Sequence, residues 1–288
     1  MGESAESVLR RGAVAWLEWR EHHPVPNLSD TCLMGMNLRG ANLQCVNLRR
    51  ANLSDAKLVA AKVVAANLSS AIIDRADLVD ADLRSIEAID LQAKATDLRR
   101  AQLSDANLMG SNFTNADLRS ADLAGVNAIA IDFTAARLRG ADLDRINLHR
   151  ATLSYADLVG ANLAHANLTQ AILTATELGL AHLYQANLTG ARLYDAHLVT
   201  VYAVLANFER ANLTTADLSW ANLAKTSFIG AILKGTNLRG ANLAGANLAG
   251  ADFTGANLSG ADLSYTNLQQ AIFHETDLTD TVFTGAIR

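Results

Sequence analysis

The chain has 288 residues, half of them hydrophobic but only 5% aromatic, with a formal net charge of −5. That balance argues against direct nucleic-acid binding, and the lack of a run of about 18 apolar residues argues against a helical membrane span. The opening MGESAESVLRRG lacks a signal peptide's apolar core, so a cytoplasmic protein is expected.

The first element lies between Ser4 and His23, where Leu9, Ala13, Trp16 and Leu17 recur at helical spacing behind Ser4, a suitable N-cap. One amphipathic helix is predicted. Pro24 and Pro26, the chain's two prolines, end it, because proline neither continues a helix nor allows helical geometry in the residue before it. Residues 1–26 thus form a helical cap and linker, laid over the open end of the repeats, and 27–288 form a single repeat domain.

From Leu28 to Phe283 a leucine or phenylalanine arrives every fifth residue, with Ala two positions earlier and Asn or Asp between, as in Ala241-Asn242-Leu243 and Ala246-Asn247-Leu248. Five residues of α-helix turn the side chain by roughly 140° net, which spreads the leucines over all sides. In a straight strand an odd period throws successive leucines onto opposite faces. Both fail to make one core. A short extended segment followed by a bend succeeds, because Ala and Leu then point inward in every unit. Every glycine after Leu28 except Gly179 falls two residues past a centre, where a bend needs positive φ, and all seven phenylalanines fall on centres.

These residues resemble the pentapeptide-repeat family, with its A(D/N)LXX motif. The resemblance implies an all-β solenoid, a right-handed quadrilateral parallel β-helix with four pentads per coil, here about 13 coils and roughly 60 Å long. The leader GAVAWLEWREHHPVPNLS is similar to the segment that precedes the repeats in cyanobacterial and other bacterial members. The pattern is imperfect at Ile86–Ala95, Val126–Ala135 and Val201–Leu205, where centres shrink to Ala88, Ala93, Ala128 and Ala203 while the alanine positions grow to Ile86, Leu91, Val126, Ile131 and Val201. A volume-conserving repacking is expected, with Phe113 filling the space over Ala93; a loop around Glu87–Ala95 is the alternative.

Residues 20 apart stack in such a coil, so the surface reads as columns. Arg99, Arg119 and Arg139 form one, beside Asp77, Asp97 and Asp117, either as self-compensated charge or as a binding stripe. Isoleucines stand in another at Ile72, Ile172, Ile232 and Ile272, too interrupted for a patch. Tyr184, Tyr194 and Trp220, with Tyr155, Tyr202 and Tyr265, are outward and suit a protein contact.

No catalytic or metal-binding spacing occurs, Cys32 and Cys45 fall at different phases and read as free thiols, and a core filled by Leu and Ala leaves no substrate cavity. No enzyme, cofactor or metal is expected. The leading reading is a rigid scaffold that binds another protein. The alternative comes from the resemblance: some members imitate duplex DNA, bind DNA gyrase and confer fluoroquinolone resistance. Those are strongly acidic dimers with a C-terminal helix, whereas here −5 is spread over 288 residues and no helix follows Phe283. Leu278 and Phe283 lie at the far end with few residues after them, and the dimers of the family suggest an end-to-end homodimer through them.

Overall fold

The computed structural model describes residues Ser4–Arg288, apart from the side chain of Ala13. Instead of one N-terminal helix there are two, α1 (Ala5–Arg10) and α2 (Ala13–Arg20). Gly12 separates them at φ 105°, a conformation outside any helix and open to glycine alone at low cost. Ser4 does cap α1, its Oγ accepting from Ser7 N at 3.2 Å. The break rotates α2 so that Trp16 is buried while Leu17, expected on the apolar side, is exposed. The prolines lie beyond the helix end at Arg20 rather than at it.

From Asn27 onward the backbone repeats in fives. Parallel bridges one residue wide join positions 20 apart, from Asn27↔Asn47 to Asn267↔Ile287, so each coil consists of four pentads and has four faces. We number the faces in chain order by their bridging residues: first (27, 47 and so on), second (32, 52), third (37, 57) and fourth (42, 62). Each pentad makes three backbone bonds between coils. Leu48 and Arg50 donate forward to Asn67 O (2.7 Å) and Ser69 O (3.1 Å), and Asn67 N donates back to Val46 O (3.0 Å). The corner is closed by a bond from Ala51 N to Leu48 O, 3.0 Å, the i to i+3 bond of a β-turn.

Positive φ at the second residue past each centre makes this turn type II, and it occurs at every corner, not only those with glycine. Arg50, Tyr155, Thr200, Thr215 and Trp220 all sit at φ 55–62°. Left-handed backbone costs a side-chain-bearing residue roughly 1–2 kcal/mol. The corner amide's bond to the next coil and the inward packing on either side hold it there. Where Asn or Asp precedes a centre it braces the turn from outside, its Oδ1 accepting from the backbone N–H two residues on, as Asp217 Oδ1 does from Ser219 N (2.8 Å) and Asn52 Oδ1 from Ser54 N (2.9 Å).

Inside, the Ala and Leu positions form one continuous core. The irregular pentads stay in the coil. Glu87 and Gln92 keep their bridges to Asn107 and Asn112, and Ile86, Ala88, Leu91 and Ala93 are all buried, so the repacking reading holds and no loop forms. There is one local adjustment. Leu91 N receives its acceptor from Ser111 Oγ (3.0 Å) on the next coil, and the same hydroxyl donates to Ala88 O (2.7 Å). A buried hydroxyl between two backbone groups leaves neither orphaned, which otherwise costs about 1–3 kcal/mol. Thr96, Thr176 and Thr236 likewise donate across coils to Ile73, Leu153 and Leu213 carbonyls.

At the N-terminal end the first coil's outward carbonyls have no earlier coil to bond. Side chains of the two helices donate to three of them: Arg10 to Cys32 O (2.7 Å), Trp16 Nε1 to Asn42 O (2.7 Å) and Arg20 to Gln44 O (3.0 Å).

Candidate interaction surface

The coil register decides which side chains become neighbours. On the third face Arg99 and Arg119 fold back onto Asp97 and Asp117 in two-pronged pairs at 2.6 Å, and Arg139 reaches Asp157 at 3.1 Å because position 137 is itself arginine. Arg99, Arg119 and Arg139 do line one shallow recess with Arg100. Their charge is internally compensated, each guanidinium lying against a carboxylate.

The corner arginines follow a second rule. Arg50, Arg75 and Arg100 pair with Asp30, Asp55 and Asp80, each one coil earlier, at 2.6–2.7 Å. Hydrogen bonds from the guanidiniums hold these three carboxyls below the usual carboxylate range. A carboxyl with a depressed folded pKa contributes stability above its unfolded pKa of about 4 and loses it as pH falls through the folded value. Thermal melts should therefore be flat between neutral pH and about pH 5 and decline only in stronger acid. A decline that starts near pH 7 would show that histidines, not these pairs, dominate.

The fourth face gathers what the sequence had shown only as scattered aromatics. Tyr184 and Tyr202 stack with centroids 6.5 Å apart, His165 meets Tyr184 edge-on at 5.6 Å, and His182 lies 5.9 Å from Tyr202. Leu180 and Trp220 stand on the corner before this face and Leu205 on the corner after it, 62%, 59% and 42% exposed. Trp220 lies flat over Gly240 on the following coil, in the space a Cβ there would need, with Arg239 stacked at 5.8 Å. Tyr194 is exposed but on the second face, away from this cluster. Leu180, His182 and Leu205 were not singled out from sequence. Their signal was present, since leucine at a corner phase is out of place, but it emerges only when columns 20 apart are compared.

At the last coil Leu278 is 37% exposed and Phe283 partly buried, lining an apolar hollow with Leu268 and Phe273; the Arg288 guanidinium lies 5.2 Å over the Phe283 ring. Cys32 and Cys45 are free thiols, both exposed. No group of three His, Cys, Asp or Glu among the described residues could hold a metal ion, and no described helix is long and apolar enough to cross a membrane.

A four-faced solenoid of pentads, its core filled and its chemistry confined to outer columns, defines a repeat protein built for display on its surface. The chain belongs to the pentapeptide repeats: the family model matches eight copies, over 27–58, 95–129, 131–170, 161–199, 204–228, 221–260 and 256–287. Among solved structures it is similar to HetL, a pentapeptide repeat protein involved in heterocyst differentiation regulation from the cyanobacterium Nostoc sp. strain PCC 7120, at 27% identity over the whole of both chains (TM-score 0.33). QnrB1, a plasmid-mediated fluoroquinolone resistance protein, matches at 19% identity over 68% of this chain and 92% of its own (TM-score 0.33). A pentapeptide repeat protein of the Arabidopsis thaliana thylakoid lumen is 34% identical over 37% of this chain and 67% of its own (TM-score 0.21). No curated protein sequence matches.

Proposed function

We propose that the protein is a non-enzymatic rigid scaffold that binds another protein through its fourth face, around Tyr184 and Tyr202. The observation that carries this reading is the mutual contact of His165, His182, Tyr184 and Tyr202 on the fourth face, with the exposed Leu180, Leu205 and Trp220 on the corners that flank it. Tyrosine and tryptophan offer large contact area at little entropic cost, which is why they dominate protein interfaces. The solenoid holds them without needing the partner, so less ordering remains to oppose binding. Two exposed free thiols fit a reducing compartment, and the cytoplasm is the location this reading favours.

The other reading, imitation of duplex DNA against a topoisomerase, needs uninterrupted columns of carboxylate. The pairs on Asp97, Asp117, Asp55 and Asp80 neutralise the columns that would supply them.

The test is capture from the native host on immobilised wild type and on a Tyr184→Ala/Tyr202→Ala variant, followed by titration of the identified partner. Both side chains lie outside the core, so the variant should melt with the wild type. Truncating an interface anchor costs about 2 kcal/mol or more, so a loss of affinity of roughly 30-fold is expected. Unchanged affinity, or a loss reproduced by Arg99→Gln/Arg119→Gln, would move the contact elsewhere. If the captured partner is a gyrase whose supercoiling the protein inhibits, the mimicry reading replaces this one.

A further inference from the structure

The corner between the first and second faces keeps the arginine rule at Arg50 but breaks it farther along the rod. Arg50, Arg75 and Arg100 each have an aspartate 20 residues earlier. At that offset Arg150 has Ala130 and Arg210 has Gly190. Arg150 bonds only a neutral amide, Gln170 Oε1 at 3.0 Å, and neither Arg150, Arg192 nor Arg210 has a carboxylate within ion-pair distance among the described residues. The carboxylates nearby are otherwise engaged: Glu209 accepts from Ser227 Oγ at 3.1 Å, and Asp252 pairs with Lys234 at 3.2 Å.

The uncompensated cations overlook open space. One recess is lined by Arg150, Gln170, Ile172, Gly190 and Arg192, and along the same corner a second is lined by Arg210, Ile229, Gly230, Gly250, Gln270 and Arg288. Gln170 and Arg210 lean along the corner over Gly190 and Gly230, where no side chain fills the floor. Arg192 and Ile172 stand one bridge apart on the second face, and Ile229 lines the second recess.

We infer that this corner, from Arg150 to Gln270, is a docking groove for an extended acidic peptide segment with apolar residues interleaved. Six coils separate those two residues, roughly 29 Å at about 4.8 Å per coil, which matches about nine residues of extended chain at about 3.3 Å each. Arg192 and Arg210 supply charge-assisted hydrogen bonds to carboxylates. The isoleucines receive the apolar side chains, and the glutamine amides serve the peptide's main chain. A duplex nucleic acid fits poorly, because it carries one charge per about 1.7 Å of axis and meets here only three cations in the roughly 14 Å between Arg150 and Arg210. The groove lies diagonally across the coil from the corner that bears Leu180 and Trp220, so it stands independently of the fourth-face contact.

The experiment uses the full chain and three fluorescein-labelled probes in fluorescence anisotropy: a ten-residue peptide alternating Glu and Leu, its Lys and Leu counterpart, and a ten-base-pair DNA duplex. The Glu peptide should bind, the Lys peptide should not, and the DNA should bind more weakly than the Glu peptide. In an Arg192→Gln/Arg210→Gln variant, which removes no ion pair of the fold and should melt with the wild type, Glu-peptide affinity should fall at least tenfold. Arg99→Gln/Arg119→Gln should leave it within twofold. No Glu-peptide binding, tighter binding of DNA, or equal losses in both variants would each overturn the assignment.

Discussion

Phe113→Ala should cost about 3–5 kcal/mol, the loss measured when a fully buried phenylalanine is truncated and its space cannot close. The ring is fully buried, stands one coil above Ala93 and lies 5.5 Å from the Phe133 ring on the coil after it. Its removal puts alanine over alanine in that column. The backbone cannot collapse into the gap, because Ala93 N to Asn112 O (2.8 Å) and Phe113 N to Asp132 O (2.7 Å) fix the spacing of the coils on both sides. Denaturant unfolding measures the loss, and hydrogen exchange should place it in the coils around residues 93–133, since repeat arrays couple mainly to nearest neighbours. Coincident unfolding of variant and wild type would show that the ring is not seated in this column.

The second large effect is expected of Trp16→Ala. Trp16 is 1% exposed, stacks on Trp19 at 5.5 Å and donates to Asn42 O. Truncation removes a buried aromatic worth about 3–5 kcal/mol and leaves a first-coil carbonyl without its donor. Helices of six and eight residues are too short to persist alone in water. The helical part of the circular dichroism should therefore vanish while the β signal stays, and first-coil amides should exchange faster. Retained helicity would mean that α1 and α2 are held by contacts other than this indole.

Much of the fold was open to reading because phenylalanine keeps to one phase of five and leucine mostly follows it, a phase that packing enforces in every coil. The spacing of two within a pentad likewise made Arg99 with Asp97 foreseeable, and the register of 20 did so for Phe113 over Ala93. The left-handed corners were legible only where glycine marks them. At Arg50 or Thr215 the φ is imposed by bonds to the next coil, and no residue preference betrays it. The helix break at Gly12 was visible as a glycine but submerged in a helical pattern on either side. The fourth-face cluster escaped because it joins three phases of the pentad: His182 and Tyr202 at the bridge, Tyr184 after the centre, Leu180 and Leu205 at corners. The histidine and tyrosines are ordinary alone, and only the coil's geometry brings them together beside the two out-of-place leucines.

The inter-coil hydrogen bonds are also unequal in direction, which makes the rod electrically polar. In each pentad two amides, the centre's and the corner's, point toward the C-terminal end, and one, that of the bridging residue, points back. One uncancelled peptide dipole of about 3.5 D per pentad, four per coil, amounts at a coil spacing of about 4.8 Å to roughly half an elementary charge at each end, similar in size to that of an α-helix but reversed in sense. The negative pole is the carbonyl-lined first coil, where Arg10 and Arg20 lie. The positive pole is the last coil described, which carries Glu275, Asp277 and Asp280. Charged side chains thus complement both poles, and the column of charge that a solution partner senses along this solenoid has a head and a tail.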